Sequence, residues 1–130
     1  MSGILITNNP SVNVKYSGSI ETVYLENGDY EDVLRAARDR VHLGHKLLTH
    51  PLSGSVKPGH TPYKSVLISK EKGVLDIESL GIIEDSIRIF GSQTKVFDGR
   101  RIPEKVSADF QLIDMDLIKG GINSMNGSVK

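Results

Sequence analysis

The 130-residue chain contains no cysteine. Disulfides, thiolate metal sites and a cysteine nucleophile are therefore excluded. Small secreted domains often lean on disulfides, so this absence points towards the cytoplasm. Charge of either sign is not in surplus: 16 basic residues balance 16 acidic ones, for a formal net charge of zero. A dedicated nucleic-acid binder normally carries a basic surplus to offset phosphate charge, so that class is disfavoured, although a local basic patch remains compatible. No apolar run approaches the roughly 20 residues that span a bilayer. The opening Met1-Ser2-Gly3-Ile4-Leu5-Ile6-Thr7 is too short for a signal peptide and lacks a basic start. The expectation is a cytoplasmic protein with neither a membrane nor a nucleic-acid partner. Internal repeats and low-complexity segments are also missing.

What is present reads as one globular domain. At 38% apolar and 25% charged residues, a chain of this length can bury a core without staples. The domain is expected over residues 1–123, with a polar, glycine-bearing tail over 124–130 that frays.

Ile4-Leu5-Ile6 is a short apolar run suited to a strand buried on both faces. Thr7-Asn8-Asn9-Pro10 follows as a turn, where Asn9 can cap a short helix with Pro10 at its first position. Glu21-Thr22-Val23-Tyr24-Leu25 reads as a second strand. Asp29 opens the clearest helix, with Tyr30, Val33, Leu34, Ala37 and Val41 at helical spacing and Gly44 as its stop. His45-Lys46-Leu47-Leu48-Thr49 reads as a short third strand. Ser65-Val66-Leu67-Ile68-Ser69 is a fourth. Asp76 caps a second long helix, whose buried stripe is Ile77, Leu80, Ile83, Ile87 and Phe90 and whose end is Gly91. Residues 94–107 form a polar connection. Asp109-Phe110-Gln111-Leu112-Ile113 reads as a fifth strand, followed by a short helix over residues 116–123.

Strands alternating with helices predict an α/β fold. The expected form is a three-layer, mostly parallel sheet of about five strands with helices on both faces, Rossmann-like but without a dinucleotide fingerprint. Between the third and fourth strands, residues 50–63 hold three prolines and two glycines. Neither a helix nor a central strand suits that composition. The segment can carry a crossover or a wide hairpin, and a hairpin would make one strand antiparallel.

In open parallel sheets, ligands bind beyond the carboxyl ends of strands. Two polar loops leave such ends here: residues 7–10 and residues 49–63. If the first and third strands are neighbours, these loops face each other. The candidate ligand-binding set is Thr7, Asn8, Asn9, His50, Ser53, Gly54, Ser55, Lys57, Thr61 and Tyr63. Ser53-Gly54-Ser55 offers hydroxyls and backbone N–H groups for an anion, and Lys57 offers charge. The bland alternative is a proline-braced surface loop whose serines satisfy their own backbone. No Walker spacing and no Gly-x-Gly-x-x-Gly is present.

The four histidines, His42, His45, His50 and His60, lie within 19 residues, yet no metal-ligand spacing links them and no metal site or cofactor is expected. His50 is the best single acid/base candidate, because a strand end delivers it to the site. A histidine bonded within its own loop is an equal alternative. Ser53 or Ser55 beside His50 imitates part of a hydrolase triad, but the Gly-x-Ser-x-Gly elbow is absent. The pair Arg100-Arg101 suits a solvated loop better than an anion grip. Tyr16, Tyr24, Tyr30 and Tyr63 are scattered, with no platform for bases. Asp114 and Asp116 follow the fifth strand, where they suit helix capping better than Mg²⁺.

Three stretches carry a family resemblance. They are Ile6-Thr7-Asn8-Asn9-Pro10, Gly44-His45-Lys46-Leu47-Leu48-Thr49-His50-Pro51-Leu52-Ser53-Gly54-Ser55-Val56-Lys57-Pro58, and Thr61-Pro62-Tyr63-Lys64-Ser65. Together they resemble the GrdX family, small proteins encoded beside the glycine reductase system of anaerobic amino-acid-fermenting bacteria. The resemblance runs from Ile4 to Gly91, and more loosely from Asp109 to Lys119, with residues 94–107 unmatched. It implies a cytoplasmic accessory role in glycine, sarcosine or betaine reduction. It carries over no catalytic residue.

Three functions compete. The first is a binding module for a small anionic molecule at the Asn8/Ser53–Lys57 edge. The second is an assembly protein, docking on glycine reductase components or on itself as a homo-oligomer. It requires an exposed apolar patch around Leu52, Val56 and Tyr63. The third is a hydrolase or group-transfer enzyme. It requires the His50 ring within roughly 3–4 Å of a hydroxyl or anion in a concave pocket.

Overall fold

The computed structural model describes residues 3–54, 56–97 and 102–127. Among these residues one sheet of three strands forms, in the order β2-β1-β3. The strands are β1 (Gly3–Thr7), β2 (Glu21–Tyr24) and β3 (Ser65–Ser69). β1 runs parallel to β2 and antiparallel to β3, with Ile4 opposite both Glu21 and Ile68. The central strand is buried along its whole length, which is why its sequence is continuously apolar instead of alternating.

Successive β1 side chains serve opposite faces. On one face Ile4 and Ile6, with Val66 and Ile68 of β3, pack against Val33, Ala37 and Val41 of α2 (Tyr30–His42) and Ile83 of α3 (Ile77–Gly91). On the other, Leu5 and Leu67 pack against Val12 of α1 (Pro10–Tyr16) and Ile118 and Ile122 of α4 (Glu104–Met125). Each fully buried aliphatic side chain contributes about 1.5–3 kcal/mol relative to exposure.

The local stop and start signals are used. Asn9 caps α1 by accepting from the Ser11 amide, with Pro10 in the first turn. Asp29 and Asp32 form a reciprocal capping box on α2. Gly44 leaves that helix at φ +108°, a conformation a side chain would strain. Asp76 caps α3.

The sheet differs from the expected five-stranded, mostly parallel one. Residues 45–49 make only an isolated antiparallel bridge, Leu47 to Ile68. They lie beside β3 and exchange backbone bonds with it, Leu48 N to Leu67 O at 2.8 Å and Ser69 N to Lys46 O at 2.8 Å. A regular ladder fails because side chains take some of the partners. The Thr49 hydroxyl accepts from Leu67 N, and the Ser79 hydroxyl accepts from Leu47 N. Residues 50–63 then return as a wide hairpin, which makes β3 antiparallel.

The expected fifth strand, Asp109–Ile113, lies inside α4, which is 22 residues long. Its buried positions Asp114, Ile118 and Ile122 recur every four residues, a helical stripe that the local run Phe110-Gln111-Leu112-Ile113 disguises. Ile77, expected in the buried stripe of α3, is 72% exposed at the first turn, while Ile83 and Phe90 are buried. α4 ends at Met125, which packs against the Leu5 and Leu67 side of the core.

Candidate functional site

The carboxyl ends of β1 and β2 and the amino end of β3 meet at one edge of the sheet. A buried polar knot holds them. The Thr7 and Ser65 hydroxyls lie 2.7 Å apart. Thr7 Oγ1 accepts from Asn9 N at 2.9 Å, and Ser65 Oγ donates to Asp114 Oδ2 at 2.7 Å. With Asp114 ionised, the Ser65 proton points at the carboxylate, so Thr7 must donate to Ser65. Asp114 also accepts from Ser65 N at 3.1 Å and from Asn9 Nδ2 at 3.0 Å. Burial pushes the Asp114 carboxyl above its ordinary value, against the opposing pull of Ser65, Asn9 and the Lys64 charge.

Asn8 and Lys64 form a second stitch. Asn8 Nδ2 donates to Pro62 O and Gly28 O, and Asn8 Oδ1 accepts from Lys64 N. Lys64 is 5% exposed. Its Nζ donates to Ser53 O at 2.7 Å, pinning the hairpin loop to the start of β3. Burial lowers the Lys64 pKa, and nearby Asp114 offsets part of that. Between these groups lies a small cavity of about 20 Å³, bordered by Tyr30, Ser53, Gly54, Lys64 and Asp114. That is room for a single water.

A larger cavity of about 680 Å³ opens beside the knot. Asn8, Gly28 and Pro62 border it, and the start of α2 forms one wall. Tyr24, Tyr30, Tyr63, Phe90 and Phe97 supply aromatic surface. The Tyr30 and Phe90 rings stack with centroids 4.8 Å apart. Tyr63 Oη and Ser107 Oγ lie 2.5 Å apart, and Gln111 Nε2 donates to Ser107 Oγ at 3.0 Å, which fixes the Tyr63 ring. The Tyr24 hydroxyl has its pKa raised by desolvation first, then by the charges of Glu26 and Tyr63. The Tyr30 hydroxyl is pushed up strongly, chiefly by burial and then by Asp114.

The candidate residues divide between these places. Asn8, Thr61 and Tyr63 border the larger cavity. Ser53, Gly54, Thr61 and Tyr63 border the small one. Thr7 and Asn9 are fully buried, and their side-chain polar atoms are spent on the knot, the Ser11 amide and the Gln111 carbonyl. His50 is exposed, and its Nδ1 accepts from the Leu52 amide at 3.1 Å. The nearby Ser53 hydroxyl donates to the His50 carbonyl and not to its ring. Lys57 is exposed and precedes a single 3₁₀ turn, Pro58–His60. Ser55, Arg100 and Arg101 lie outside the described residues.

The other histidines do not converge with His50. His42 faces Glu84 at 3.3 Å, and His45 Nδ1 donates to the Ser69 carbonyl at 2.7 Å. Asp114 is buried mid-helix, so it does not cap α4, and Asp116 is exposed. The patch expected around Leu52, Val56 and Tyr63 is half-buried. Leu52 packs against the Tyr30, Leu34 and Phe90 cluster.

Several lining residues escaped sequence reasoning. Tyr24 and Tyr30 lie far from the candidate residue Tyr63 in the chain, yet folding gathers both with it on one cavity. Glu26, Phe90 and Lys95 join them with no local motif to announce it. Asn27-Gly28 before the α2 cap was the available signal: a turn leaving a strand's carboxyl end marks a site wall as well as a strand end.

Among the described residues, no helix is long and apolar enough to cross a membrane. A family model described as GrdX-like protein matches residues 4–123. The match continues through residues 94–107, beyond the stretches that carry the resemblance. No curated protein and no solved structure matches the chain.

Proposed function

Starting from a chain that belongs to the GrdX-like family, we propose a small-molecule-binding accessory protein of the cytoplasm, serving glycine, sarcosine or betaine reduction. The reductase link rests on the family resemblance. The binding role rests on one observation: the 680 Å³ cavity where Asn8 and the first turn of α2 meet five aromatic rings. A concave, largely pre-formed site with apolar walls and a few convergent polar groups is the usual form of a small-molecule pocket. The knot of Thr7, Asn9, Ser65 and Asp114 serves as the rigid base behind it.

This reading moves the ligand away from Ser53 and Lys57, towards Asn8, Thr61 and Tyr63. An anion has weaker support in that seat, because Glu26, Asp29 and Glu31 border the cavity. A catalytic His50 has none, since its ring faces its own loop. Docking through residues 49–63 also has less support, because Leu52, Val56 and Tyr63 turn partly inward.

The test is a thermal-shift panel of amines, amino acids, phosphates and nucleotides, on the wild type and on Tyr63→Ala. A ligand of the cavity raises the midpoint by mass action, and Tyr63→Ala reduces that gain. If no compound stabilises the wild type at millimolar concentration, the small-molecule reading is overturned.

A further inference from the structure

The charge around the cavity is one-sided. Among the described residues, Glu26, Asp29 and Glu31 border it, against one cation, Lys95. Two of these carboxylates are engaged: Asp29 accepts from the Asp32 amide in the helix cap, and Glu31 pairs with Arg35 at 2.5 Å. Glu26 is exposed beside Tyr24 and has no hydrogen bond or ion pair among the described residues. The positive end of α2 does not rescue an anion here, because Asp29, Glu31 and Asp32 already face it.

Lys95 shows what the cavity accepts. Its ammonium stands 4.5 Å from the centroid of the Phe90 ring, and it donates to the Phe90 carbonyl. The same Phe90 ring is stacked on Tyr30. A ring face is the negative part of an aromatic quadrupole, and a carbonyl oxygen completes the seat.

We propose that this cavity takes an alkylammonium group, and that the Lys95 side chain occupies its seat until a ligand ammonium replaces it. The proposal rests on the small-molecule reading above and adds the ligand's charge. Phe90 offers the ring face and the carbonyl, and Glu26 offers a carboxylate that pairs with none of the described residues. Lys95 thereby acts as an internal competitor.

The experiment is an NMR titration of the tyrosine ring resonances with n-butylammonium and with 1-butanol, its neutral counterpart. It uses the wild type, Lys95→Met and Glu26→Gln. Lys95→Met keeps the aliphatic stem and removes the competing charge. The expected result is butylammonium binding about threefold to tenfold tighter to Lys95→Met than to the wild type, with butanol unchanged. Glu26→Gln, at an exposed position, should weaken butylammonium about threefold and leave the fold intact. If butanol binds as well as butylammonium, the ammonium seat is overturned while the small-molecule cavity stands. If no probe shifts any ring in folded protein, the cavity reading falls as well.

Discussion

The Asn8 side chain joins the end of β1 to the start of β3: Asn8 Oδ1 accepts from the Lys64 amide at 2.9 Å. Through the same side chain Asn8 Nδ2 reaches the carbonyls of Pro62, at 2.8 Å, and Gly28, at 3.2 Å. One amide thus ties the hairpin loop, the sheet and the turn before α2 into a single wall of the cavity.

Asn8→Asp removes both donors and sets a carboxylate against two carbonyl oxygens. The expected cost is about 2–4 kcal/mol of unfolding free energy, read by denaturant titration. Tyrosine ring shifts should change with it, since the cavity wall loosens.

Asp114 predicts a pH dependence of known sign. Its folded pKa lies above the ordinary 3.8, so the folded state holds a proton that the unfolded chain has released. The stability from this group is full below about pH 4 and is lost as pH rises through the folded value. In Asp114→Asn that loss should vanish, giving a flatter curve over this range. The variant should still be less stable at low pH by about 1–3 kcal/mol, because an amide NH₂ meets the Asn9 Nδ2 donor in the place of Oδ2, or the Ser65 amide in the place of Oδ1. Urea unfolding at several pH values reads both effects, and a parallel pair of curves would refute the assignment.

Two glycines predict opposite outcomes. A Cβ at Gly59 would lie 1.9 Å from the Thr94 carbonyl oxygen, which cannot give way cheaply. Gly59→Ala should therefore detach the segment around Thr94 and Val96, whose amide bonds Gly59 O at 2.8 Å. Faster hydrogen exchange there would show it. A Cβ at Gly81, on the exposed side of α3, meets nothing within 4 Å. Gly81→Ala should stabilise by about 0.5–1 kcal/mol.

His50→Ala separates the cavity reading from a catalytic histidine. Exposed, with its ring accepting from the Leu52 amide of its own loop, His50 should change stability by no more than about 0.5–1 kcal/mol and leave ligand affinity untouched. A large loss of binding would return His50 to the site.

Local chemistry alone determined the parts of this protein that depend on neighbours in sequence. Asn9-Pro10, Asp29 and Asp76 announce three helix starts, because a cap needs only a side-chain oxygen and the next turn of amides. The buried runs in β1 and β3 are equally legible, and residues 50–63 stand out as a segment unsuited to helix or central strand. Tertiary structure alone decided the rest. It set β3 antiparallel, kept residues 45–49 short of a strand by lending their bonding partners to the Thr49 and Ser79 hydroxyls, and drew Phe110 to Ile113 into α4. It also gathered Tyr24, Tyr30, Tyr63 and Phe90 around one cavity and seated Lys95 on it. Those contacts join residues far apart in the chain, and no local spacing encodes a distance that only packing closes.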